Sequence, residues 1–257
     1  LGFSAEDLIG RSAHSIIHHH YPDGREYPVE ECPQYAAFKH GKVSRIDNEC
    51  LWRKDGSPLP VEYGSMPILK EGEIVGAVVS FTDITQRKEN ERRMAESEQR
   101  LGLALAGANL GLWDWRAATG EVVTNDIWSE MLGFTKAELD ERYGARLERW
   151  SSLVHPDDFG SAMAALKAHA DGATDEYRAE YRMQTKSGGW KWILDIGRSV
   201  ERDAQGIAQR MVGIHQDVTE RKESEERMKS YFDSSSDALF LWSPEKGYLQ
   251  ANQAAIK

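Results

Sequence analysis

Along residues 73–83 the apolar side chains fall on alternate positions, at Val75, Ala77, Val79 and Phe81. Leu59, Val61 and Tyr63 alternate in the same way within 58–69, and a third such run covers 44–53. A period of two predicts antiparallel strands with one buried and one wetter face. The three-strand pattern returns at 175–185, 190–201 and 208–217, with turns at Lys186–Gly189 and Asp203–Gly206. Ahead of it, 110–115 alternates around Leu112, Trp113 and Trp115, Ala117–Gly120 makes a turn, and Val122 and Val123 start a second short strand. Residues 126–132 and 135–141 predict short helices. A longer helix is predicted at 157–170, where Pro156 and Asp157–Asp158 suit the first turn and Gly172 the stop. Two strands, small helices, a long helix and three strands predict an α+β fold, a five-stranded antiparallel sheet with helices on one face.

The pattern repeats in register. Asp83–Met94 returns as Asp217–Met228, identical at eight of twelve positions and 134 residues apart. Leu1-Gly2-Phe3-Ser4 matches Leu132-Gly133-Phe134-Thr135 at 131, and Lys54-Asp55-Gly56 matches Lys186-Ser187-Gly188 at 132. Trp242, Gly247 and Asn252 follow Trp115, Gly120 and Asn125 by 127 residues. One fold used repeatedly accounts for this. The expected division is the C-terminal part of a first module at 1–85, a connector at 86–101, a complete second module at 102–219, a connector at 220–232, and the start of a third module at 233–257. The 1–85 part is expected to expose core, with pairing of 238–250 onto the strands of 44–83 as one way to complete it.

Composition narrows the function. A net charge of −10 over 257 residues argues against nucleic acid as a partner, whose phosphates require clustered Lys and Arg. The Arg/Lys runs at 86–93 and 221–229 are interleaved with Glu and read as solvated helix faces. No run approaches the roughly 18–20 apolar residues of a membrane helix. Cys32 and Cys50 form neither a CxxC pair nor a disulfide framework, which fits a reducing, cytoplasmic setting. Because the chain opens on Leu1 rather than Met, it is expected to be a piece of something longer.

Trp52-Arg53-Lys54-Asp55-Gly56-Ser57, Val75–Val79 and Asp83-Ile84-Thr85 resemble a PAS domain with its C-terminal PAC motif. Gly111-Leu112-Trp113-Asp114-Trp115, His155-Pro156-Asp157-Asp158 and Trp190-Lys191-Trp192-Ile193 resemble a second PAS variety, and Phe232–Leu239 the entry to a third. The resemblance implies a tandem PAS sensory and dimerisation region of a bacterial signalling protein. Its output would be a two-component histidine kinase. A diguanylate cyclase or phosphodiesterase, a ligand-free dimerisation scaffold and an FAD or haem redox sensor stand as alternatives. No phosphoacceptor box, cyclase signature or phosphate-cradling loop occurs in this segment, which is therefore read as non-catalytic.

The candidate relay residues are Asp83, Thr85, Asp217 and Thr219, which end a strand and cap the connector helix that follows. The resemblance implies that the Asp also makes a salt bridge within its domain. A homodimer through the connectors is expected, with a thin apolar seam of Ile84, Met94 and Leu101. The candidate ligand pocket comprises Trp113, Trp115, Asn125, Trp128, Trp190 and Trp192, Asn125 being equally suited to capping the helix at 126. No cofactor is the expectation. Ala13 occupies the place of the cysteine that light-sensing flavin relatives use, His40 is a weak haem candidate, and His169 a weaker one. His14 and His18 would share a helix face that Cys32 could join, yet Pro22-Asp23-Gly24 reads as a loop, so His14, His18, His19 and His20 are expected in a solvated, at most pH-sensitive, segment with no metal.

Overall fold

A computed structural model of the chain describes residues 1–256 and divides it into two compact units, 1–100 and 101 onward. The first unit opens with α1 (Ala5–Leu8), α2 (Ala13–Ile17), a 3-10 turn (Val29–Glu31) and α3 (Pro33–His40). The strands β1 (Ser44–Trp52), β2 (Pro58–Lys70) and β3 (Glu73–Asp83) follow, and α4 (Thr85–Gly107) carries the chain across the boundary.

The second unit contains β4 (Leu110–Arg116), β5 (Val122–Thr124), α5 (Asp126–Glu130), α6 (Lys136–Tyr143), α7 (Leu147–Leu153) and α8 (Pro156–Ala170). Then come β6 (Tyr177–Gln184), β7 (Trp190–Arg202), β8 (Ala208–Asp217) and α9 (Thr219–Ser234), followed by β9 (Phe240–Ser243), β10 (Gly247–Ala251) and α10 (Gln253–Ile256). Helix α7 was not expected from the sequence, because Leu147, Trp150 and Leu153 give only one short apolar stripe.

The five strands of the second unit form an antiparallel sheet in the order β5-β4-β8-β7-β6. Its inner face buries Trp113, Tyr177, Tyr181, Met183, Ile193 and Met211 against Trp128, Leu139, Trp150 and Leu153 of the helices. In the first unit the sheet has three strands, β1-β2-β3. Strand β8 is flanked by β4 and β7, whereas β3 pairs with β2 alone among the described residues. The alternating face of β3 is consequently open, and Val75, Val79 and Phe81 are exposed rather than buried. Strands β9 and β10 pair with each other, so residues 238–250 do not complete the first sheet within the described chain.

Local chemistry repeats with the fold. Ser4 and Asp7 form a capping box on α1, and Thr135 and Glu138 form one on α6. Lys54 then donates to Asp7 and Lys186 to Glu138, each at 2.6 Å. Asn125 accepts from the backbone of Leu112 and Trp128, and Asn252 accepts from Leu239 and Ala255 in the same way.

Two glycines decide how the inner face packs. A Cβ on Gly213 would sit 2.3 Å from the Trp113 ring and from the Ile196 carbonyl, and one on Gly197 would sit 2.5 Å from the same ring. The indole of Trp113 thus lies flat over a two-glycine floor. Gly213→Ala is expected to lower unfolding stability by about 1–3 kcal/mol through overpacking. Gly160→Ala, in α8 with open space around it, is expected to raise stability by roughly 0.4–1 kcal/mol. Urea denaturation of the two variants beside the parent chain checks both.

Candidate functional site

In the second unit the inner residues of β6, β7 and β8 carry three buried polar side chains, Tyr181, Asp195 and His215. Asp195 accepts from Trp113 Nε1 at 2.7 Å and from the Tyr181 hydroxyl at 2.6 Å. His215 Nε2 lies 3.1 Å from Asp195 and 3.2 Å from the Tyr181 oxygen. That oxygen also accepts from Trp150 Nε1 at 2.7 Å. Burial, with Asp195 beside it, pushes the Tyr181 hydroxyl well above its ordinary value, so it stays a donor at any physiological pH.

Around this network lies a cavity of about 60 Å³, lined among others by Trp113, Trp115, Trp128, Trp150, Asp195 and His215. Trp115 Nε1, Trp128 Nε1 and the Tyr177 hydroxyl, all on its lining, are buried without a hydrogen-bond partner among the described residues. Buried donors of this kind are normally satisfied, so the cavity has unspent capacity for a small acceptor-bearing molecule or for water. Its volume is well below the roughly 300–1,000 Å³ of a pocket for a drug-sized ligand.

Trp113, Trp115 and Trp128 line this cavity. Asn125, Trp190 and Trp192 do not line the cavity. Asn125 caps α5 and ties it to β4. Trp190 and Trp192 lie on the even positions of β7, opposite in pleat to Asp195 and Ile193. Trp190 packs on His155 with ring centroids 4.4 Å apart, and Trp192 lies beneath Arg182 and Lys222. Neither haem candidate offers a free ligand to a core. His40 is exposed at the end of α3. His169 is buried, but its Nδ1 donates to the Thr174 carbonyl and its Nε2 accepts from the Ser199 amide, which spends both nitrogens on joining α8 to β7. Tyr181, Asp195 and His215 were missed by sequence reasoning. Asp195 and His215 lie on the pleat opposite to Trp190 and Trp192, the residues that the sequence had put toward the pocket, so the face was read with the wrong phase.

The exits from both sheets are built alike. Asp83 Oδ1 accepts from Thr85 N at 2.8 Å, and Asp217 Oδ1 from Thr219 N at 2.9 Å. Ile84 N donates to the Pro60 carbonyl and Val218 N to the Trp192 carbonyl. Both apolar residues are buried, so Ile84 belongs to its module's interior rather than to a seam. The second exit is the more tightly held. Lys191 pairs with Asp217 at 2.8 Å, Thr219 Oγ1 accepts from Trp192 N at 3.0 Å, and Lys222 and Arg221 both reach Glu180. In the first exit the residue facing Thr85 is Pro60, which has no N–H to give, and Thr85 Oγ1 is left without a partner. Burial opposes ionisation of Asp217, but Lys191 and Thr219 outweigh it and hold the carboxyl below its ordinary value of 3.8.

The histidine-rich segment of the first unit is not a solvated loop. His18 is 1% exposed and Cys32 fully buried. His18 Nδ1 lies 3.1 Å from Cys32 Sγ, and Nε2 lies 2.8 Å from Glu49. Burial works against the imidazolium, yet the hydrogen bonds to Cys32 and Glu49 raise His18 to about 9. Tyr27 and Tyr63 also donate to Glu49, each at 2.7 Å.

A family profile described as a PAS domain matches residues 1–86, and one described as a PAS fold matches 121–215. Together they span more than half of the chain. The chain belongs to the PAS family. A sensory box histidine kinase/response regulator of Burkholderia thailandensis is 35% identical over 51% of this chain and 93% of that one, with a TM-score of 0.43. A blue-light-activated histidine kinase of Brucella ovis is 25% identical over 87% of this chain and 45% of its own length. A methyl sulfide methyltransferase-associated sensor of Methanosarcina acetivorans is 29% identical over 70% of this chain and 18% of its own. The chain spans less than half the length of these curated relatives. It consists of PAS domains of the sensor type, and no helix among the described residues is long and apolar enough to cross a membrane.

Two expectations follow. Asp195→Ala strands the buried Trp113 and Tyr181 donors beside His215 and should cost about 3 kcal/mol or more, whereas Tyr181→Phe should cost about 1–3 kcal/mol; chemical denaturation followed by near-UV circular dichroism ranks them. Asp217 supplies stability that is present above 3.8, the ordinary carboxylate value, and lost as pH falls through its lowered native value. Lys191→Met should move that loss to higher pH, read by NMR titration of the Asp217 carboxyl.

Proposed function

We propose that the chain is the sensory and dimerisation region of a two-component histidine kinase, and that it relays a stimulus through the connector helices α4 and α9. The observation that carries this reading is the twice-built exit, in which an Asp-x-Thr cap and a buried apolar residue lock a helix to the end of a sheet strand. A helix held this way takes its direction from the sheet. In the second unit the anchor residue Lys191 and the cavity residue Asp195 share β7, so a molecule bound among the tryptophans acts on the strand that holds the exit.

Beyond their first turns the connectors are exposed. Met94, Leu101, Leu103, Met228 and Tyr231 present apolar surface on otherwise charged helices. Met94 and Leu101 are one heptad apart, the spacing at which a second copy would pack in parallel. The kinase assignment draws on the Brucella relative, whose likeness covers 87% of the chain. The cytoplasmic setting and the domain limits drawn from the sequence belong to the same proposal.

Both native cysteines are buried, so a cysteine introduced at Met94 reports alone. Met94→Cys should give a disulfide-linked dimer on mild oxidation; a dimeric protein that fails to crosslink there places the interface elsewhere. For the relay, Thr219→Val should speed amide exchange in the first turns of α9 while β6–β8 keep their protection. Unchanged exchange would remove the anchor from the pathway.

A further inference from the structure

We propose that His14, His18 and Cys32 of the first unit form a binding site for a zinc-type divalent metal ion. Helix α2 carries His14, and His18 follows one turn later as its C-cap, its N–H bonded to the His14 carbonyl; Cys32 is the N-cap of α3. One donor atom from each of the three lies within 4.8 Å of the others. A tetrahedral zinc with bonds of about 2.0–2.3 Å holds its donors roughly 3.3–3.8 Å apart, so an adjustment of about an ångström closes the site.

What separates this cluster from a chance grouping is the state of the other ring nitrogens. His14 Nε2 donates to the Tyr27 carbonyl at 2.8 Å, which leaves Nδ1 carrying the lone pair. That Nδ1 is buried and has no partner among the described residues. His18 Nε2 faces Glu49 at 2.8 Å, which directs Nδ1 at Cys32 Sγ. A carboxylate behind one ligating histidine and a backbone carbonyl behind the other is the outer shell that metal-bound imidazoles require. Glu49 is itself fixed by Tyr27 and Tyr63. Two imidazoles and one thiolate suit zinc rather than magnesium or calcium, which take oxygen ligands.

The metal would replace the proton shared between His18 Nδ1 and Cys32 Sγ, and that proton leaves to solvent on binding. Three protein ligands leave the fourth position open. Half-buried His14 gives the ion its way in.

The test is titration of the metal-free 257-residue chain with Zn²⁺ against a chromogenic chelator, repeated with Co²⁺ to read the thiolate-to-cobalt charge-transfer band. One equivalent should bind with that band present. Cys50→Ser should keep the band and Cys32→Ser should lose it, because these are the only two thiols. His14→Ala should weaken zinc binding at least tenfold, and Glu49→Gln by about 10–100-fold. If Cys32→Ser does not fold, His14→Ala, altered at a half-buried position, decides the matter. A wild-type chain that binds no zinc, or a His14→Ala chain that binds as tightly as wild type, overturns the proposal.

Discussion

A carboxylate hydrogen-bonded to a tyrosine across two strands, buried in the second unit and half-buried in the first, governs how each unit is put together. A charge there is tolerable only if its lone pairs are filled, and in the second unit Asp195 is filled by Trp113 and Tyr181. The bond to Trp113 fixes the indole, and the fixed indole demands glycine at 197 and 213. Trp150, bonded to Tyr181, closes the other side. The space left among these rings is the cavity.

The first unit solves the same problem with the partners exchanged. Tyr181 and Asp195 stand 132 residues after Glu49 and Tyr63, the spacing at which Lys186 follows Lys54. A tyrosine–carboxylate bond therefore crosses the same two strands in both units, at 2.7 Å and 2.6 Å, with acid and phenol swapped. The swap has consequences. Moved to β1, the carboxylate faces α2 and is met by His18 instead of by indoles. A tryptophan-walled cavity and a histidine–cysteine cluster are two outcomes of one geometric rule.

Much of this was legible in the sequence. Period-two alternation located the strands of both units, and the repeat gave their register, because these signals depend on local backbone geometry. Three things escaped. The inward or outward choice of Trp190 and Trp192 depends on pleat phase relative to Asp195, and large aromatic side chains pack on either face. The exposure of Val75, Val79 and Phe81 depends on a neighbouring strand rather than on β3 itself. The burial of His18 depends on Cys32 and Glu49, which lie 14 and 31 residues further along the chain. Each is decided by long-range pairing, to which a local window is blind.

The distance from cavity to exit is short in structural terms. Lys191 and Asp195 are four residues apart on β7, about 13 Å at strand spacing, and His215 precedes Asp217 by two residues on β8. All four point to the same side of their strands. In the relay proposed above, a displacement of His215 or Asp195 by a bound molecule would reach the Lys191–Asp217 pair through extended backbone that cannot absorb it by rotamer change. The first exit shares the aspartate bond but not the rest of the anchor. Asp83 caps its helix, but Pro60 gives Thr85 no amide to accept from, and the carboxylate on that side, Glu62, is met by Arg45 and Arg87 at the surface. The hydroxyl clasp on the strand is thus absent from the first exit and present in the second, so the connector leaving the second unit has the stiffer attachment to its sheet. If the two exits act in series, the second is the one that transmits a small strand movement with less loss.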